Sequence, residues 1–107
     1  MVKNLTTTAV VCSDLRKENQ PNAVAYRLLV LNFPDWLSDR LRSQMTDALR
    51  GLNKRMAKEV AYDFVDYWLF GVRHFTGIQH IDTMLQSMYN KVNYCASKQG
   101  IELTTGY

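Results

Sequence analysis

Ile78, Ile81, Leu85, Met88, Val92 and Cys95 follow one another at alternating intervals of three and four residues. An α-helix gathers such positions onto one side, because successive residues are rotated by about 100°. The spacing predicts a helix over about 77–98 with Gly100 as its stop, and it matches a bundle seam. About two and a half heptads is too short for an extended coiled coil. The seam needs apolar partners from elsewhere in the chain.

Those partners are sought upstream. Phe33 precedes Pro34, which disfavours helix at Phe33 and suits the first helical position at Pro34, so a helix is expected to begin there. Leu37, Leu41, Met45, Ala48 and Leu52 then form an apolar stripe. Continued without a break, the helix would put Glu59, Asp63 and Asp66 on that same stripe, and Val60, Phe64, Tyr67 and Trp68 about 100° away. One straight helix cannot keep a single core face over this length. Gly51 and Asn53, both poor in helix interiors, locate the break, giving helices of about 34–50 and 53–74.

Toward the N-terminus, Thr6–Cys12 (TTTAVVC) is β-branched and short, so it reads as a strand, with Ser13–Asn22 as a polar loop. Ala23–Leu31 (AVAYRLLVL) fits a second strand with Val24, Tyr26, Leu28 and Val30 on one face, or the start of a helix; the strand is the reading adopted. The expected fold is α+β: an N-terminal β-hairpin (about 6–12 and 23–31) followed by three packed helices, in one domain spanning 1–107. Ile101 and Leu103 allow a short last strand or a frayed tail. An all-α helical bundle is the alternative.

Composition narrows the class. Apolar residues make up 47% and charged residues 21% of the 107 positions, as in ordinary globular proteins. No long uncharged apolar run and no cleavable leader pattern is present, so no membrane association is expected and a cytoplasmic location is. Cys12 and Cys95 are too few for a disulfide scaffold, and free thiols are expected. The net charge of +3 is uneven: residues 23–58 carry +4 and residues 59–107 carry −2. Such a split steers an anionic partner toward one side.

No catalytic motif, glycine-rich phosphate loop or metal-ligand spacing is found, so no enzyme activity, cofactor or metal is expected. Glu59, Asp63 and Asp66 share a stripe that reads as a solvated acidic face turned away from the aromatic residues. His74 and His80, six apart, lack the i, i+4 spacing of a helical zinc pair, and His74 suits the negative end of the second helix. Cys95 is explained by the heptad seam.

Two surfaces remain. Tyr62, Tyr67, Trp68, Phe70 and Phe75 crowd the second helix with more aromatic area than one face of a small domain buries, as interface anchors do. Arg40, Arg50, Lys54, Arg55 and Lys58 would line the opposite, basic side of the first helix and its continuation, suited to a phosphate backbone. The favoured expectation is a non-enzymatic protein acting by stoichiometric protein–protein contact. Inhibitors or regulators carried by phages and other mobile elements have this profile, and self-association is compatible with it. A nucleic-acid-binding regulator using the basic side is the alternative.

Overall fold

The computed structural model describes residues 22–103, which form four α-helices and no strand. They are α1 (Ala23–Leu31), α2 (Asp39–Arg50), α3 (Lys54–Phe70) and α4 (Gln79–Ser97). The α+β expectation is thereby corrected in favour of the all-helical alternative. The proposed strand at 6–12 lies outside the described residues.

The correction turns on α1. Its buried residues are Ala25 and Leu29, one helical turn apart, whereas Val24, Tyr26 and Val30 of the supposed strand face are exposed. AVAYRLLVL satisfies both periodicities, and its alanines, leucines and arginine are good helix formers. Packing against α3, its most extensive neighbour, selects the helix. At one end the Asn22 amide donates to the Leu49 and Leu52 carbonyls; at the other the Trp68 indole donates to the Asn32 carbonyl at 3.0 Å. These two ties lay α1 alongside α3, the two helices running in the same direction.

Local capping chemistry sets the other boundaries. The first predicted helix begins at Asp39 and not at Pro34, because Ser38 caps it by accepting from the Leu41 amide at 3.2 Å. Pro34 instead opens a turn, closed by the Leu37 amide on the Pro34 carbonyl at 3.1 Å and held by the Arg42 guanidinium, which donates to the Leu37 and Pro34 carbonyls at 2.9 and 2.8 Å. The expected break at Gly51–Asn53 is present, with Asn53 capping α3 by accepting from Met56 at 2.8 Å. α3 ends at Phe70, four residues earlier than expected, because Gly71 takes the left-handed conformation (φ 71°).

The core runs between the helices. α2 contributes Leu41, Met45 and Leu49; α3 contributes Val60, Ala61 and Phe64; α4 contributes Ile81, Leu85, Met88, Tyr89, Val92 and Ala96. The buried seam of α4 is therefore shifted from the expected one: Ile78 is exposed and Cys95 half-buried, while Tyr89 and Ala96 are fully enclosed. Leu103 is buried, so the segment after Gly100 forms neither a last strand nor a frayed end up to that residue.

Candidate functional site

α3 has an inner and an outer face, and the aromatic residues divide between them. Phe64 and Tyr67 are buried and Trp68 is half-buried. Tyr62, Leu69 and Phe70 are 49%, 59% and 50% exposed. At 100° per residue these three fall within about a quarter-turn of one another on the outer face. Tyr67, proposed as an interface residue, is a core residue. Trp68 is committed to Asn32 and to Phe33, whose ring centroid lies 6.1 Å away. Phe75 is 47% exposed but packs edge-on to Tyr89 at 5.7 Å. Leu69 was missed by a reading that counted aromatics, although its place seven residues after Tyr62 puts it on the same face. The tie between Trp68 and Asn32 also brings Leu31, 76% exposed, to this end of the bundle.

Asp63, Asp66 and Glu59 do not behave as one solvated face. Glu59 is exposed, Asp66 is half-buried, and Asp63 is buried beside the aromatics it was expected to avoid. Burial pushes the Asp63 carboxyl up to about 6; His74 opposes that shift, and Glu59, Asp66 and Asp82 add to it. His74 lies beyond the end of α3, and its Nε2 meets the Asp66 carboxylate at 3.2 Å. The helix ends too early for the predicted interaction with its negative terminus.

Around these groups Arg73 donates to the Tyr67 hydroxyl at 3.2 Å and to Asn90 at 3.0 Å, and its guanidinium lies over the Tyr67 and Tyr89 rings. Asp82 accepts from the Thr76 amide and hydroxyl at 2.6 and 2.8 Å and from the Gly77 amide at 2.9 Å, which holds its carboxyl below the usual range. This network braces the 71–78 segment. No hydroxyl or thiol of the described residues hydrogen-bonds to the His74 ring, and among those residues no three His, Cys, Asp or Glu side chains converge to hold an ion. His80 is exposed at the start of α4; Cys95 is a free thiol whose Sγ lies 3.6 Å from the Trp36 carbonyl. Cys12 lies outside the described residues.

Arg40, Arg50, Lys54, Arg55 and Lys58 are all exposed but do not form one face. The break at 51–53 separates Arg40 and Arg50 on α2 from Lys54, Arg55 and Lys58 on α3. Arg40 and Arg50 stand at opposite ends of α2, roughly 15 Å apart along its axis at 1.5 Å per residue. Arg50 faces Asp47 at 3.9 Å in an exposed pair. Arg50, Lys54, Arg55 and Lys58 surround the α2–α3 turn, whereas Arg40 belongs to a groove of about 480 Å³ between α2 and α4.

Compared with protein-family models, with curated proteins and with solved structures, the chain matches none of them. Among the described residues no helix is long and apolar enough to cross a membrane.

Proposed function

We propose that the protein acts by stoichiometric contact with a protein partner, through the outer face of α3. The observation that carries this reading is the exposure of Tyr62, Leu69 and Phe70 together on one helix face. Each leaves about half or more of its surface in water while Phe64 and Val60 of the same helix are wholly enclosed. Apolar side chains grouped in this way gain when a partner covers them, at roughly 25 cal/mol per Å² of area removed from water. Tyrosine and phenylalanine supply that area with few rotatable bonds to immobilise, and Lys58, Glu59 and Asp66 beside them supply a charged rim. The partner this surface fits offers an apolar recess bordered by charges of both signs. Binding would inhibit or regulate by occupation, with no bond made or broken.

A photo-cross-linking amino acid placed at position 69, in the full chain expressed in its native host, tests the reading. One adduct with a single protein is expected, abolished by Phe70→Glu and retained in Arg50→Glu. An adduct with a second copy of this chain would make the surface a dimer interface. Loss of the adduct in Arg50→Glu but not in Phe70→Glu would move the contact elsewhere and overturn the proposal.

A further inference from the structure

A groove between α2 and α4 lies apart from the exposed residues of the α3 surface. α2 supplies Arg40, Leu41 and Gln44, and α4 supplies Asn90, Lys91 and Tyr94. Its volume of about 480 Å³ lies within the usual range for small-molecule sites, which also favour the space between helices of a bundle. Helical spacing explains the grouping: Arg40 and Gln44 are one turn apart, as are Asn90 and Tyr94, so each helix presents one strip to the groove. Lys91 spans it, with Nζ 3.4 Å from Gln44 Oε1. Leu41, buried, gives an apolar wall.

Charge and chemistry narrow the ligand. The lining holds two cations and no carboxylate. Lys98 adds a third cation, its ammonium 5.2 Å from the centroid of the Tyr94 ring. Asp39 and Asp47 of α2 do not line the groove, and Asp47 faces Arg50. Tyr94 is 64% exposed, a large aromatic face left uncovered beside those cations. Asn90 uses its Oδ1 on Arg73 and Gln86, at 3.0 and 3.2 Å, and Gln44 uses its Oε1 on Lys91. Both amides therefore keep N–H donors for a ligand. Two cations, an aromatic platform and amide donors in one groove match a phosphate attached to a planar base.

We propose that this groove binds a nucleotide, with the phosphate between Arg40 and Lys91 and the base stacked on the face of Tyr94 away from Lys98. The ligand is a free nucleotide or one unit of a single strand. The α2–α3 turn is the weaker candidate, since Arg50, Lys54, Arg55 and Lys58 have no aromatic side chain among them. Single-strand binding elsewhere combines the same two elements, a cationic track and aromatic stacking.

Fluorescence anisotropy with a labelled twelve-nucleotide oligothymidylate at low salt, with ATP and inorganic triphosphate as competitors, tests the proposal. Tyr94→Ala is expected to weaken binding by about 5- to 150-fold, the range for one stacked base, and Tyr94→Phe to retain it. Arg40→Gln with Lys91→Gln is expected to weaken binding and lower the salt slope by about 0.7, the value for one phosphate contact on a single strand. ATP bound as tightly as the oligonucleotide identifies a free-nucleotide site; tighter oligonucleotide binding identifies a single strand. Absence of binding to either would overturn the proposal. So would triphosphate competing as well as ATP, or a loss confined to Arg50→Gln, Lys54→Gln and Arg55→Gln. All these side chains are exposed, and circular dichroism of each variant confirms that the fold is kept; Lys91→Gln, the mildest change expected to weaken binding, decides the case if another variant unfolds, and unchanged affinity in it would overturn the proposal.

Discussion

The hydroxyl of Tyr89, in the middle of α4, donates a 2.6 Å hydrogen bond to the backbone carbonyl of His74, in the segment between α3 and α4. The Tyr89 ring is fully enclosed, tilted against Tyr67 at 4.9 Å and edge-on to Phe64 at 6.5 Å. One side chain thus ties the connecting segment to both helices. Burial, with the nearby Asp63, raises its phenol well above the usual range, so it remains a donor at all physiological pH.

Tyr89→Phe is expected to keep the ring packing and lose the hydrogen bond, at a cost of about 1–2 kcal/mol. Tyr89→Ala is expected to cost about 3–5 kcal/mol through the cavity it leaves. Urea unfolding followed by far-UV circular dichroism distinguishes the two; a Tyr89→Phe variant as stable as the parent would show that the hydrogen bond contributes nothing measurable.

Asp63 makes stability depend on pH in the sense opposite to an ordinary paired carboxylate. Its pKa is raised from 3.8 to about 6 in the folded protein, so between those values the native state holds more protons than the unfolded chain. Stability from this group is therefore greatest below pH 3.8 and falls as pH rises to about 6. The loss is at most about 3 kcal/mol, at 1.36 kcal/mol per pH unit. Asp63→Asn is expected to raise the melting temperature at pH 7 and to flatten the profile between pH 4 and 6, as scanning calorimetry across that range would show.

Asp82 has the usual sign. Its lowered pKa contributes stability that is present above the unfolded value of 3.8 and lost as pH falls through the folded one. Asp82→Asn is expected to loosen the Thr76–Gly77 turn first, since the charge-assisted bonds to that turn are what it removes. Hydrogen exchange at the Thr76 and Gly77 amides measures this directly, and unchanged protection would contradict it.

Two glycines call for opposite outcomes. Gly51 has φ −85°, and a Cβ there meets nothing within 4 Å, so Gly51→Ala is expected to stabilise by about 0.4–1 kcal/mol through the unfolded chain. Gly100 also has room for a Cβ but sits at φ +77°, so Gly100→Ala is expected to destabilise by about 1–2 kcal/mol. Thermal melts of the two variants should shift in opposite directions.

Leu49 and Leu69 separate packing from surface. Leu49→Ala empties a fully enclosed site and is expected to cost about 2–5 kcal/mol. Leu69→Ala, at 59% exposure, is expected to stay within about 0.5 kcal/mol of the parent. A large loss for Leu69→Ala would mean that the outer face of α3 is structural.

The sequence by itself determined α2, α3 and α4 and the break between the first two, because apolar period, N-cap side chains and helix-breaking residues act within a few positions of one another. Asn53 and Gly100 are legible at that range, whereas Ser38, the cap at the true start of α2, is passed over in favour of Pro34. The tertiary structure decided what neighbours in space decide. α1 satisfied two periodicities until α3 selected one. Ile78 fell just before α4, and Tyr89 and Ala96 are enclosed where Cys95 is not because the other helices cover α4 from a slightly rotated direction. Asp63 went inside because it stands one turn from Tyr67 on the side of α3 that packs into the core. Arg40 parted from Arg50 and joined Lys91 and Tyr94, far away in sequence, because helix packing brought α2 and α4 together, and no local pattern encodes which strip of one helix meets which strip of another.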